Sequence, residues 1–249
     1  MLSVLRSLYH RSHFHAGHRV RARHVLALVD QHAPRDGRVL DAGSGGGRYT
    51  FAIARRYPQL EVEGIELDPS KVAECEARSR AEGRSNLRFR VGDITAIGRA
   101  GHYDLALSVD VLEHIADDQA AFLSLAQALR PGGILLLHVP HAEPRRFFKS
   151  LRDHHQDDHV REGYEPAALA GRLRAVGFDT VHVRSTFGPA GELAWEIMHL
   201  ARRPPTSRSR EIGGALFSPL AALLCELDFI LGAGPRGNGI LVLARRGNG

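Results

Sequence analysis

The chain has 249 residues, 43% hydrophobic and 24% charged, enough for one α/β domain with a full core. Its net charge is +5, but the excess is nearly all arginine and lies scattered, so no nucleic-acid partner is expected. Two cysteines, Cys75 and Cys225, exclude a disulfide framework and a four-cysteine zinc site, and they fit a reducing cytoplasm.

Residues 1–8 are too short and too interrupted by Arg6 for a signal peptide. Val20, Val25, Leu26 and Val29 predict a helix over 19–31. A regular alternation follows. Short apolar runs predict strands over 38–42, 60–67, 87–91, 103–109 and 134–139. Helices are expected over 49–57, 68–82 and 117–129; Asp68 suits an N-cap with Pro69 in the first turn. Pro131-Gly132-Gly133 is read as the stop of the third of these. Beyond it come a helix over 165–176 and strands over 178–185 and 240–245. Residues 188–237 read as an insertion with two helical pieces, 190–202 and 211–231. Its second piece is apolar, but Pro219, Glu226 and Asp228 interrupt it, so no transmembrane segment is expected. Strands alternating with helices predict an α/β fold, a doubly wound and mostly parallel sheet. We therefore expect a single domain: a cap over 1–35, a core over 36–187, an insertion over 188–237 and a last strand with its tail over 238–249.

Ligands of such sheets bind beyond the strand carboxyl ends. Asp41-Ala42-Gly43-Ser44-Gly45-Gly46-Gly47 stands there, between the first strand and its helix. Its glycines allow a tight turn and close approach of a ligand. Asp41 would repel a pyrophosphate and attract an ammonium group, which counts against dinucleotides. Glu66 ends the second strand, where an acid accepts from both ribose hydroxyls. Asp93 ends the third, placed for an adenine amino group, with Ile94 or Leu67 against the ring.

VLDAGSGGG at 39–47, VEGIELDP at 62–69, VGDI at 91–94, YDLALSVDVLEHI at 103–115 and LRPGGILLLHVP at 129–140 carry a family resemblance. With them the chain resembles the class I S-adenosylmethionine-dependent methyltransferases. That resemblance implies seven strands, the last antiparallel, and S-adenosyl-L-methionine as cofactor. It implies that Asp41, Ala42, Gly43 and Gly45 line the methionine part, with Asp110 nearby. It assigns Glu66 to the ribose, and Asp93 with Ile94 to the adenine. An N-terminal segment, here residues 9–19, would close the pocket.

A hydroxyl or activated carbon acceptor needs a general base, and histidine is the natural one near neutral pH. His114 and His141 are the candidates; His138 lies in an apolar strand and is expected in the core. The segment 158–164, DHVREGY, resembles one that covers the acceptor in similar enzymes, so His159, Arg161 and Tyr164 are expected acceptor contacts. The histidine spacing in 153–159 fits no metal motif, and no metal is expected. The apolar insertion suits a lid over a small hydrophobic or aromatic acceptor, a homodimer face through 188–237, or a peripheral membrane contact. Methyl transfer to oxygen is the leading expectation. Transfer to carbon or nitrogen of a quinol or lipid-like acceptor, and a silent cofactor-binding partner subunit, stand as alternatives.

Overall fold

The computed structural model describes residues 14–151, 159–203 and 206–248. Expectations for residues 9–13 and 153–158 lie outside them. Seven strands are described: β1 Gly37–Ala42, β2 Leu60–Glu66, β3 Leu87–Val91, β4 Tyr103–Val109, β5 Leu129–Pro140, β6 Phe178–Thr186 and β7 Gly239–Arg246. Seven α-helices are described: α1 Ala16–His32, α2 Arg48–Arg56, α3 Pro69–Ala81, α4 Asp118–Ala128, α5 Pro166–Ala175, α6 Pro189–Ala201 and α7 Ser207–Leu231.

The strands form one sheet in the order β3-β2-β1-β4-β5-β7-β6. β2 pairs with β3, β1 with β2 and β4, and β4 with β5, all parallel; the last strand runs antiparallel. The order reverses between β1 and β4, which places the exit of β1 at the switch point of the sheet. Val39, Leu40, Leu105, Leu107, Leu135 and Leu137 are fully buried, as expected for strands covered on both faces.

One prediction needs correcting. α4 ends at Ala128 and β5 begins at Leu129, ahead of Pro131-Gly132-Gly133. Leu129 already pairs with Tyr103, and the register shifts before Ile134 pairs with Leu105. The Pro-Gly-Gly run thus sits at an irregularity inside the strand pairing rather than at a helix stop.

The chain divides into two compact units. Of the described residues, one gathers 25–142, 159–184 and 240–248, and carries the sheet. Of the described residues, the other gathers 14–24, 143–151, 185–203 and 206–239. Its core is Ala16, Val20, Phe187, Ala194, Met198, Ala221 and Cys225. Acids are buried here too. Glu196 accepts from the Phe147 and Phe148 amides at 2.8 Å each, and Asp228 from the Gly191 amide at 2.8 Å. Burial pushes Glu192 up to about 7 despite the nearby Arg146.

Candidate cofactor site and the edge beside it

Gly43, Gly45 and Gly47 all take left-handed φ, 81°, 53° and 73°. A side chain at Gly43 would stand 2.5 Å from Val111 Cγ2, so this position needs glycine for packing as well as for its turn. Above Gly45 and Gly46 a Cβ would meet nothing within 4 Å, leaving an open cradle of backbone. The amides of Gly43 and Ser44 donate to the Ile65 carbonyl at 2.9 and 2.8 Å, tying the loop to the end of β2. Ser44 Oγ and, at the end of β4, Ser108 Oγ are buried with no hydrogen-bond partner among the described residues.

Asp41 is buried beneath the loop and faces α2. Its Oδ2 accepts from the Thr50 amide at 3.1 Å and the Thr50 hydroxyl at 2.6 Å. Burial pushes its carboxyl up to about 6; the Thr50 hydrogen bonds pull the other way and the charge of Glu66 adds to the rise. The folded value lies above the unfolded one, near 3.9. The stability linked to Asp41 is therefore fully present below about pH 4 and lost as pH rises through about 6. Cofactor affinity should move the opposite way if the ionised carboxylate attracts the ligand's ammonium group. Calorimetric titrations from pH 7.5 to 5 should show it falling, and a flat profile would assign Asp41 to loop support alone.

Glu66 Oε2 accepts from the Gly45 amide at 2.8 Å, Oε1 accepts from the Asp68 amide at 3.2 Å, and Lys71 Nζ lies 3.9 Å away. Asp93 is exposed, and its Oδ1 accepts from the Thr95 amide at 2.8 Å. The two apolar candidates separate. Ile94 packs into the main core, whereas Leu67 is 68% exposed beside the loop. Leu67 offers a bare apolar side chain to a ring, and Ile94 chiefly its backbone. Asp41, Glu66 and Asp93 thus end three adjacent strands around an open glycine turn. This donor set fits a ligand with an ammonium group, a ribose and a flat base.

At the next strand ends, Asp110 adopts φ 51° and its Oδ1 lies 2.6 Å from His138 Nδ1. His138 is buried as expected, but bonded to a carboxylate, which the sequence did not reveal. The register supplies it: Val109 pairs with His138, so the residue after Val109 meets the ring. His114 lies in a 3-10 turn, Leu112–His114, with its ring edge-on to His159 at 4.7 Å between centroids. Buried Glu113 joins these two histidines, their ligand atoms lying within 4.8 Å of one another. His141 follows β5 and bridges to Tyr164.

Arg161 and Tyr164 are tied to the 112–116 turn. Arg161 Nη1 donates to the Leu112 and Ile115 carbonyls at 2.6 Å each, and Nη2 to the Ala116 carbonyl at 3.0 Å. The Tyr164 hydroxyl contacts the Leu112 carbonyl at 3.1 Å and Asp118 Oδ2 at 2.9 Å. Burial, with Asp118 beside it, raises this hydroxyl's pKa, so it stays a protonated donor. Both side chains clamp the 112–116 turn that carries His114.

Comparison with known proteins agrees with this fold. A methyltransferase-domain family model matches residues 34–168. The ubiquinone biosynthesis O-methyltransferase of Xanthomonas axonopodis pv. citri (strain 306) is 31% identical over 176 residues, covering 66% of this chain and 70% of that protein. The trans-aconitate 2-methyltransferase of Deinococcus radiodurans is 34% identical over 119 residues, covering 48% of this chain and 43% of that protein. Among solved structures, the Haemonchus contortus phosphoethanolamine N-methyltransferase 2 in complex with S-adenosyl-L-methionine aligns with a TM-score of 0.66 at 20% identity. It covers 90% of this chain and 52% of that one.

Proposed function

We propose, for a chain that belongs to the class I S-adenosylmethionine-dependent methyltransferases, that it methylates a hydroxyl oxygen on a small, apolar, aromatic acceptor. When bound, S-adenosyl-L-methionine supplies an electrophilic methyl group on its sulfonium. Glu66 and Asp93 hold the nucleoside by its polar edges, Leu67 covers the base, and the cradle from Asp41 and Ala42 to Gly45, with Asp110 nearby, receives the amino-acid tail.

The observation that carries the oxygen assignment is the imidazole pair just past the end of β4, His114 edge-on to His159, with His141 directly after β5. A phenol titrates near 10, so at neutral pH it needs a base to take its proton. A carboxylate acceptor is already ionised and needs none. The histidines therefore favour a phenol over a carboxylate such as the trans-aconitate in one relative's name. His141 and His114 are the bases we assign, with His159 at the acceptor.

The test is transfer of labelled methyl groups to dihydroxybenzenes, tricarboxylates and amines, followed by His114→Ala and His141→Ala. We expect a phenol ether and a loss of about 10²-fold or more in kcat/KM for at least one variant. Full activity in both on a phenol removes the histidine base. A methyl ester as sole product favours a carboxylate acceptor. A C- or N-methyl product overturns the oxygen assignment, and cofactor binding without any product favours a silent partner subunit.

A further inference from the structure

α7 is the longest described helix, 25 residues, and it presents two different sides. Gly214, Ser218, Ala221, Cys225 and Asp228 recur at helical spacing and are buried in their own unit. The other side carries Ile212, Leu216, Leu220, Leu223, Leu227 and Ile230 at matching spacing, all exposed. Leu216 is 69% exposed and Ile230 74%. Phe217, Phe229 and Leu231 widen the stripe. From Ile212 to Cys225 the helix carries no charged residue. Proteins that remain single in water rarely bare a continuous apolar run of this kind.

We propose that this face of α7 lies in the plane of an anionic lipid membrane. Charge at the two ends decides between that surface and a second copy of the chain. Arg203, Arg208 and Arg210 are exposed around its N-terminus, and Arg236 follows its C-terminus. The acids a second copy would offer in return are largely engaged. Glu226 pairs with Arg19 and Arg23, and Asp228 is buried on the Gly191 amide, leaving Glu211 exposed. A surface of dispersed phosphates answers that excess of arginine; a copy of the same surface does not. An apolar stripe with arginines at its ends is the pattern of a helix seated at headgroup depth. The helix is long and apolar enough to cross a membrane, but crossing would expose Asp228 and the small residues that pack it into its unit. The inference is independent of the acceptor's identity.

Co-sedimentation of the full chain with vesicles tests it, using phosphatidylcholine alone against phosphatidylcholine with about one third phosphatidylglycerol. Binding should favour the anionic vesicles. It should fall at least tenfold in Leu216→Asp/Leu223→Asp, a pair of exposed positions whose fold circular dichroism can check. Arg208→Glu/Arg210→Glu and 0.5 M salt should each weaken it severalfold. Phe217→Trp should shift its fluorescence to the blue on adding anionic vesicles, which reads the seating of α7 without mutating the stripe to acid. The proposal is overturned by absent binding to either vesicle, by equal binding to both, or by binding the leucine pair leaves unchanged. A stable dimer that the leucine pair dissociates would also overturn it, assigning the face to a second copy.

Discussion

Glu66→Ala is expected to lower affinity for S-adenosyl-L-methionine at least tenfold, the largest effect of any single change at the cofactor site. Two consequences add. The carboxylate leaves the site as the acceptor for the ribose, and it no longer accepts from the Gly45 and Asp68 amides, which it reaches at 2.8 and 3.2 Å. Hydrogen bonds to a charged group contribute about 1.5–3 kcal/mol each, and about 1.4 kcal/mol is tenfold in affinity. Losing one ligand contact alone reaches the tenfold mark, and a loosened Gly45 turn adds to it. Glu66→Gln keeps an acceptor oxygen and should lie between. Isothermal calorimetry reads both; affinity equal to that of the unmodified chain would remove Glu66 from the site.

Asp118→Ala should have the largest effect on stability. Asp118 is buried at the start of α4, and its Oδ2 meets Arg172 and the Tyr164 hydroxyl, with Arg161 Nη1 at 3.6 Å. Removing it leaves two guanidinium groups and a buried hydroxyl without their shared acceptor. Breaking a fully buried ion pair costs about 3–5 kcal/mol. Arg172 is half exposed, which lowers the figure to about 2–4 kcal/mol here. In urea the midpoint should fall while the slope stays constant, since the surface exposed on unfolding is unchanged. A midpoint within error of the parent would mean that Arg161 and Tyr164 hold the 112–116 turn through backbone carbonyls alone.

Much of the fold is legible in the sequence because its signals are local. Seven apolar runs, an N-cap at Asp68 and a glycine turn after β1 each announce themselves within a few residues. The three acids are legible for the same reason, each closing its own strand. The start of β5 is not, since Pro131-Gly132-Gly133 reads as a break and only the pairing of Leu129 with Tyr103 overrules it. The Asp110–His138 pair depends on the register of two strands. The roles of Arg161 and Tyr164 depend on which carbonyls a turn nearly fifty residues earlier presents to them. Glu192, Glu196 and Asp228 look like the polar faces of amphipathic helices, yet all three are buried. Periodicity marks which side of a helix is apolar, but not which side is covered. α7 is the sharpest case, with small and polar residues inside and leucines outside.

The preference for arginine has one more outcome. Lys71 and Lys149 are the only lysines, and Lys71 Nζ stands 3.9 Å from Glu66 Oε1 at the rim of the cofactor cradle. Acylating reagents, natural or synthetic, thus have few primary amines to find on this protein. One of them lies against the carboxylate assigned to the ribose, so a single acetyl group there would remove the cation beside Glu66 and leave the arginine-built remainder of the surface untouched.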